Sequence, residues 1–302
     1  MISVIIPTYK RRCIIDCLKA LELQEIKEDF EVIVVARSVE DYLQDYFAQV
    51  IYNSPIPFRL IIYSEPGNGP AKNFAVQQAK GDFIAFTDDD CIPDMRWLQR
   101  LDFAQKLTNA DIVVGSCFPE NWNNPYLVAH QMHIQYFLEN LISAGISYPK
   151  TICGTTMNML IRKETFKRLG GFDTIFANYH GDDRDFNVRW AADADTRAVF
   201  NYSAIVAHNH PFTFKSLLRT SFKYGIGIQK CRELAIAKGY KEIPGPPKRY
   251  EYESLVYFLA GRTKFGFFKT LYSAFMLIVS QEVKRLGMWY GRKHPEYNSK
   301  GN

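Results

Sequence analysis

Four short apolar runs, separated by stretches of helical spacing, limit what this chain can fold into more than any other feature. Ser3–Ile6 runs into Pro7-Thr8, Phe30–Val35 is the second run, Leu60–Tyr63 the third and Phe83–Thr87 the fourth. A segment that stays apolar at every position suits a strand covered on both faces, as in a parallel sheet. Between the runs, Ile14, Ile15, Leu18 and Leu21 recur at helical spacing, and Gly67-Asn68-Gly69-Pro70 forms a tight loop before a helix through Ala79. This alternation predicts βαβ units and an α/β fold, with a Rossmann-like, mostly parallel sheet flanked by helices. Ligands in such sheets gather beyond the strands' C-terminal ends, where Pro7-Thr8, Ala36-Arg37-Ser38 and Asp88–Asp90 all fall.

The fourth run leads straight into three adjacent acids, Asp88-Asp89-Asp90. Adjacent carboxylates repel one another and are costly to gather without a cation. Oxygen ligands at a strand end suit a hard divalent ion, Mg²⁺ or Mn²⁺, which in turn holds phosphates. If the stretch stays extended, the first and third acids point to the same side.

Further along, helices are expected over about Trp97–Leu107, Leu127–Ser143, Lys163–Leu169 and Gly181–Trp190, and strands over Asp111–Gly115, residues 155–162 and Ala204–Ala207. The prolines within Gly239–Lys248 read as a linker, dividing residues 1–238 from a helical extension over 239–302 with apolar patterns at Leu255–Ala260 and Phe265–Val279. At 302 residues and 47% hydrophobic content the chain can bury a large core. A net charge of +5 is too small to argue for nucleic acid, and no such partner is expected. Six cysteines without a CxxC pair read as reduced thiols. With no signal-like segment and no long apolar run, a cytoplasmic placement is expected. The aromatics and lysines of the tail suit either packing on the domain or peripheral contact with the inner face of the plasma membrane.

In this order the pieces resemble a family 2 glycosyltransferase with the GT-A fold, of a rhamnosyltransferase-like subgroup. The resemblance rests on Ser3-Val4-Ile5-Ile6-Pro7-Thr8-Tyr9, Glu31–Val35, Gly69-Pro70-Ala71-Lys72-Asn73, Asp88-Asp89-Asp90 as a DxD element, Gly170-Gly171-Phe172-Asp173, Gly181–Phe186 with Arg189, His208, and Tyr224-Gly225-Ile226-Gly227. It covers roughly residues 2–227. It implies a hexosyltransferase-type enzyme that uses a divalent metal and a nucleotide-diphosphate sugar, with a glycan or lipid-linked saccharide as acceptor, in cell-surface polysaccharide synthesis.

The same resemblance implies roles. Asp90 would ligate the metal and Asp88 would meet the ribose or a metal-bound water, with Asp89 able to share either task. His208 ends an apolar strand and would complete the metal shell, with His210 the second choice. Asp183 would be the general base of an inverting transfer, and Asp182 would orient the acceptor. Pro7, Thr8, Tyr9 and Arg11 would form the nucleotide floor, Lys72 would reach a phosphate, and Gly154 and Asn158 would shape the acceptor side. Asp185 and Arg189, four residues apart on a helix, suit a supporting ion pair.

Two positions depart from the family pattern. Ala36-Arg37 stands where an acidic pair usually reads the base, and Asp182 stands where Glu is usual. Two other readings compete: a catalytically degenerate sugar-nucleotide-binding protein, and a nucleotidyltransferase. The second would need a Gly-rich basic loop after the first strand, which Pro7-Thr8-Tyr9-Lys10 does not supply.

Overall fold

The structure is a computed structural model that describes residues 1–54, 56–143, 154–177, 180–240, 256, 259–261 and 266–295. Strands β1 (Ile2–Thr8), β2 (Phe30–Ala36), β3 (Phe58–Ile62) and β4 (Phe83–Phe86) alternate with helices α1 (Ile14–Glu22), α2 (Asp41–Asn53) and α3 (Asn68–Gln78). A short β5 (Cys91–Pro93) follows the acids, then α4 (Trp97–Thr108), β6 (Ile112–Pro119), α5 (Pro125–Ser143), β7 (Met159–Arg162), α6 (Lys163–Arg168), a 3₁₀ turn (Thr174–Phe176) and α7 (Asp182–Ala192). The chain continues through β8 (Ala198–His208) and two long helices, α8 (Phe214–Ala237) and α9 (Phe267–Lys293).

These strands form one mixed eight-stranded sheet in the order β3-β2-β1-β4-β7-β6-β8-β5. The pairs β1–β2, β1–β4, β2–β3 and β6–β8 are parallel, whereas β4–β7, β6–β7 and β5–β8 are antiparallel. Every residue of β1 and β2 is buried, which is why their sequences show no polar alternation. Successive side chains enter opposite layers. Val4, Ile6, Val32 and Val34 pack with α1, α2 and α4, while Ile5, Ile33, Val35 and Phe86 pack with α3, α6 and α7. Each such fully buried side chain contributes about 1.5–3 kcal/mol.

A third cluster joins Leu127, Val128 and Met132 of α5 to Leu217 of α8 and to Ala274, Met276 and Leu277 of α9. The inner face of the C-terminal helix therefore shares a core with the helices beside the sheet. It extends to Lys293, well beyond the expected pattern at Phe265–Val279. Most of the expected linker and half of the Leu255–Ala260 pattern lie outside the described residues, as does Cys153. The five described cysteines are unbridged.

Two strands differ from expectation. β7 is confined to Met159–Arg162 because the chain turns at Asn158, whose N–H bonds the Thr155 carbonyl at 3.1 Å. β8 is longer than the apolar run suggests, and its pairing with β6 slips at Gly115/Ser116, where exposed Tyr202 and Ser203 break the pattern.

Candidate active site

After β4 the chain turns instead of staying extended, so Asp88 parts from Asp89 and Asp90, which share Arg11. Asp88 faces Lys72 of α3, with Nζ 2.9 Å from its Oδ1. Lys72 is only 1% exposed and also donates to Thr156 Oγ1 at 2.6 Å. Burial works against the Lys72 charge, but the carboxylates of Asp88 and Asp182 outweigh it and hold the ammonium protonated. Asp89 accepts from Thr8 Oγ1 at 2.8 Å and from Arg11 at 3.3 Å, and burial pushes its carboxyl up to about 7. Asp90 takes a second hydrogen bond from Arg11.

Backbone pairing brings the histidines to Asp90. Cys91 of β5 lies opposite His208 of β8, and the Asn209 N–H donates to the Asp90 carbonyl at 2.7 Å. His208 Nε2 is 3.4 Å from Asp90 Oδ1, and His210 Nδ1 is 3.0 Å from Oδ2. One atom from each of these three residues lies within 4.8 Å of the others.

Gln131 of α5 fixes the tautomer. Its Nε2 donates to the Cys117 carbonyl at 3.1 Å, so its Oε1 faces His208 Nδ1 at 3.0 Å and must accept from it. His208 Nε2 is thereby turned toward a carboxylate. A metal ion seated between these two acceptors would satisfy both. A carboxylate, two imidazoles and an amide orienting one ring are a fitting donor set for a divalent ion.

Across the cavity, α7 begins at Asp182 and Asp183. Gly181 enters the helix at φ +137°, a conformation that favours glycine. The Arg184 N–H donates to Asp183 Oδ1 at 2.7 Å, and Asp183 lines the cavity. Both acids are half-buried; burial raises the pKa of Asp183, and burial with the adjacent Asp183 charge pushes Asp182 up to about 7. Asp185 and Arg189 do pair, at 2.7 Å, and Arg189 reaches the Leu169 carbonyl, tying α7 to the Gly170-Gly171 turn. Asn73 grips the same turn by exchanging hydrogen bonds with the Phe172 backbone at 2.8 and 2.9 Å.

The Tyr224-Gly225-Ile226-Gly227 segment of α8 is where the loop before α7 is seated. A Cβ on Gly227 would lie 1.6 Å from the His180 carbonyl oxygen, and one on Gly225 would lie 2.1 Å from the Lys284 carbonyl oxygen of α9. Between them, the Tyr224 ring stacks on His180 at 4.4 Å.

Pro7, Thr8, Tyr9, Arg11, Lys72, Asp88, Asp89, Asp90, Asp182, Asp183 and His208 thus line one cavity of about 350 Å³. Gly154 and Asn158 do not line it. Asn158 is fully buried, accepting from Trp97 Nε1 at 2.8 Å and donating to the Ser116 and Ala204 carbonyls at 2.8 and 2.9 Å. It braces the bulged β6–β8 pairing, and the Gly154 carbonyl accepts from Asn187. Asn158→Ala leaves three buried groups without partners and is expected to lower stability by about 3 kcal/mol or more in urea unfolding.

The cavity also holds residues the sequence did not single out as site residues: His130, Thr156, Phe212 and Tyr224. His210 had a legible signal in its position two residues beyond His208, just past the end of the strand. Gln131 had none, because an interior helix glutamine looks like any other.

A sheet with its acids at the β4 end, facing a carboxylate pair at a helix start, defines a glycosyltransferase of the GT-A architecture. The family model for glycosyl transferase family 2 matches residues 3–170, and the chain belongs to that family. Glycosyltransferase AglE of Haloferax volcanii is 28% identical over 231 residues, spanning 75% of this chain and 72% of that one. A validoxylamine A glucosyltransferase of Streptomyces hygroscopicus subsp. jinggangensis is 24% identical over 225 residues, and the chain spans 51% of its length. Among solved structures, the mannosyltransferase PcManGT of Pyrobaculum calidifontis, in complex with GDP-Man and Mn²⁺, superposes with a TM-score of 0.63 at 17% identity, covering 94% of this chain and 86% of that one. TarS 1–349 of Staphylococcus aureus gives a TM-score of 0.55 at 15% identity over 98% of this chain and 91% of that one. Those two likenesses speak to the fold.

Proposed function

We propose that this glycosyltransferase is inverting and metal-dependent, moving a sugar from a nucleotide-diphosphate sugar to a hydroxyl of a glycan or lipid-linked saccharide in cell-surface polysaccharide synthesis. The supporting observation is that Asp90, His208 and His210, clustered together, line the same cavity as Asp183. The neighbour solved with GDP-Man and Mn²⁺ supports the donor class and the metal. Two imidazoles in the donor set favour Mn²⁺ over Mg²⁺.

A divalent ion held by Asp90, His208 and His210 would supply Lewis-acid neutralisation of the diphosphate leaving group. Lys72, buried and charged, holds Asp88 in place for the ribose side of the donor. Tyr9, with the Arg37 guanidinium 4.9 Å above its ring, offers a stacking surface for the base. Asp183 takes the proton of the acceptor hydroxyl as that oxygen attacks the anomeric carbon from the side opposite the diphosphate, so configuration inverts. Asp182 orients the acceptor.

A base works only when deprotonated. Burial raises the pKa of Asp183 above the usual carboxylate range, and burial with the neighbouring Asp183 charge pushes Asp182 up to about 7. The rate should therefore fall as the pH drops from neutrality into mild acid; a rate that stays flat down to the ordinary carboxylate range, about pH 4, contradicts a buried Asp183 as base.

Calorimetric titration with Mn²⁺ tests the metal site. Saturable binding in the presence of a nucleoside diphosphate is expected, lost in Asp90→Ala and weakened about 10- to 100-fold in Gln131→Leu, which frees the His208 ring. Equal binding by wild type and Asp90→Ala, or none by the wild type, removes the metal from the account.

A further inference from the structure

Helix α9 presents apolar side chains on both of its faces. Its inner face packs on α5 and α8, but the opposite face carries Phe267, Phe268, Leu271 and Phe275, exposed by 74, 84, 54 and 57%. At 100° per residue these fall within one sector of the helix, and Leu286 and Trp289, 58 and 59% exposed, continue that sector toward its end. The stripe follows a 27-residue helix, about 40 Å long. One acid, Glu282, falls in the sector, and Arg285 pairs with it at 3.6 Å. A soluble helix normally shows water a polar face, so an outer stripe of large apolar side chains interrupted by one ion pair calls for a second apolar phase.

The charge beside the stripe identifies that phase. From Thr196 to Arg232 the chain contains no acidic residue, and α8 exposes Lys215, Arg219 and Lys223 at four-residue intervals. Phe214 of α8 and Tyr272 of α9 both pack on the Tyr126 ring, so the first turns of the two helices share one corner. That corner adjoins the cavity, since Phe212 and Thr220 line it. A second copy of this chain would bring like charges together. Among the described residues no helix is long and apolar enough to cross a membrane.

We infer that α9 and the start of α8 form an interfacial docking face for an anionic phospholipid surface, with the phenylalanines entering the acyl boundary and the α8 cations meeting the headgroups. The cavity then opens beside the membrane. The inference needs neither donor nor metal, and its failure would leave the sugar-transfer reading standing.

The test is co-sedimentation of the full chain with vesicles, without nucleotide or metal. Phosphatidylcholine vesicles are compared with vesicles of equal parts phosphatidylcholine and phosphatidylglycerol. Binding to the anionic vesicles alone is expected, weakening as salt rises. Changing Phe267, Phe268 and Phe275 together to Ser should lower partition about 100-fold. Changing Lys215, Arg219 and Lys223 together to Gln should lower it by a similar factor, at about fivefold per cation. These side chains are exposed, so unchanged thermal unfolding verifies the fold, and Leu286→Ser with Trp289→Ser gives an independent second variant. Absence of wild-type binding, undiminished binding by the triple-Ser variant, or a concentration-dependent dimer that the triple-Ser variant abolishes would each overturn the inference.

Discussion

Asp183→Asn is expected to lower the sugar-transfer rate by about 10³-fold, in the middle of the range for losing a general base, while metal-dependent nucleotide binding stays as in the wild type. The substitution is nearly isosteric. An amide oxygen can still accept from the Arg184 N–H, which lies 2.7 Å from Asp183 Oδ1, so the start of α7 keeps its geometry. What is lost is the capacity to take a proton. The same change at Asp182, whose Oδ2 sits against the α3 entrance at Gly69, should raise the acceptor KM more than it lowers kcat. Steady-state kinetics on both variants separates the roles, and a reversal of the two effects would move the base to Asp182.

Gly227→Ala is expected to cost about 3 kcal/mol or more in urea unfolding and to suppress transfer as well. The new methyl would sit 1.6 Å from the His180 carbonyl oxygen, and backbone cannot give way as the end of a flexible side chain can. Displacing that carbonyl displaces Gly181 and, with it, the start of α7 that carries Asp182 and Asp183. Gly261→Ala, where the added carbon meets no atom within 4 Å, is the matched control and should change stability by less than about 0.5 kcal/mol. Equal effects at both positions would show that the loop before α7 is not seated on α8.

The left half of the sheet was legible because burial on both faces leaves strands such as Val32–Val35 without polar residues, and nothing but a strand of that length fits between the flanking turns. The acids were legible as a site, since their cost demands a cation. Their geometry was not. The turn at Asp89–Asp90 depends on β5 pairing with β8, a contact of residues more than a hundred positions apart. The same long-range pairing brings His210 to Asp90, and Asn158 reaches the Ser116 and Ala204 carbonyls only because β6 and β8 lie side by side. Gly225 and Gly227 stood in the sequence as a motif; only their distances to the α9 and His180 backbones explain why glycine is required there.

Metal-dependent nucleotide recognition is the claim on which the proposed chemistry rests. The direct measurement is thermal unfolding of the protein with Mn²⁺ against a panel of UDP, GDP, dTDP and CMP and their sugars, with a chelator control. Stabilisation by one nucleoside diphosphate class, abolished both by chelator and by Asp90→Ala, is the expected result. No stabilisation by any member of the panel, or a shift indifferent to chelator and to Asp90→Ala, would contradict the account and bring forward a chain that keeps the fold without the donor site.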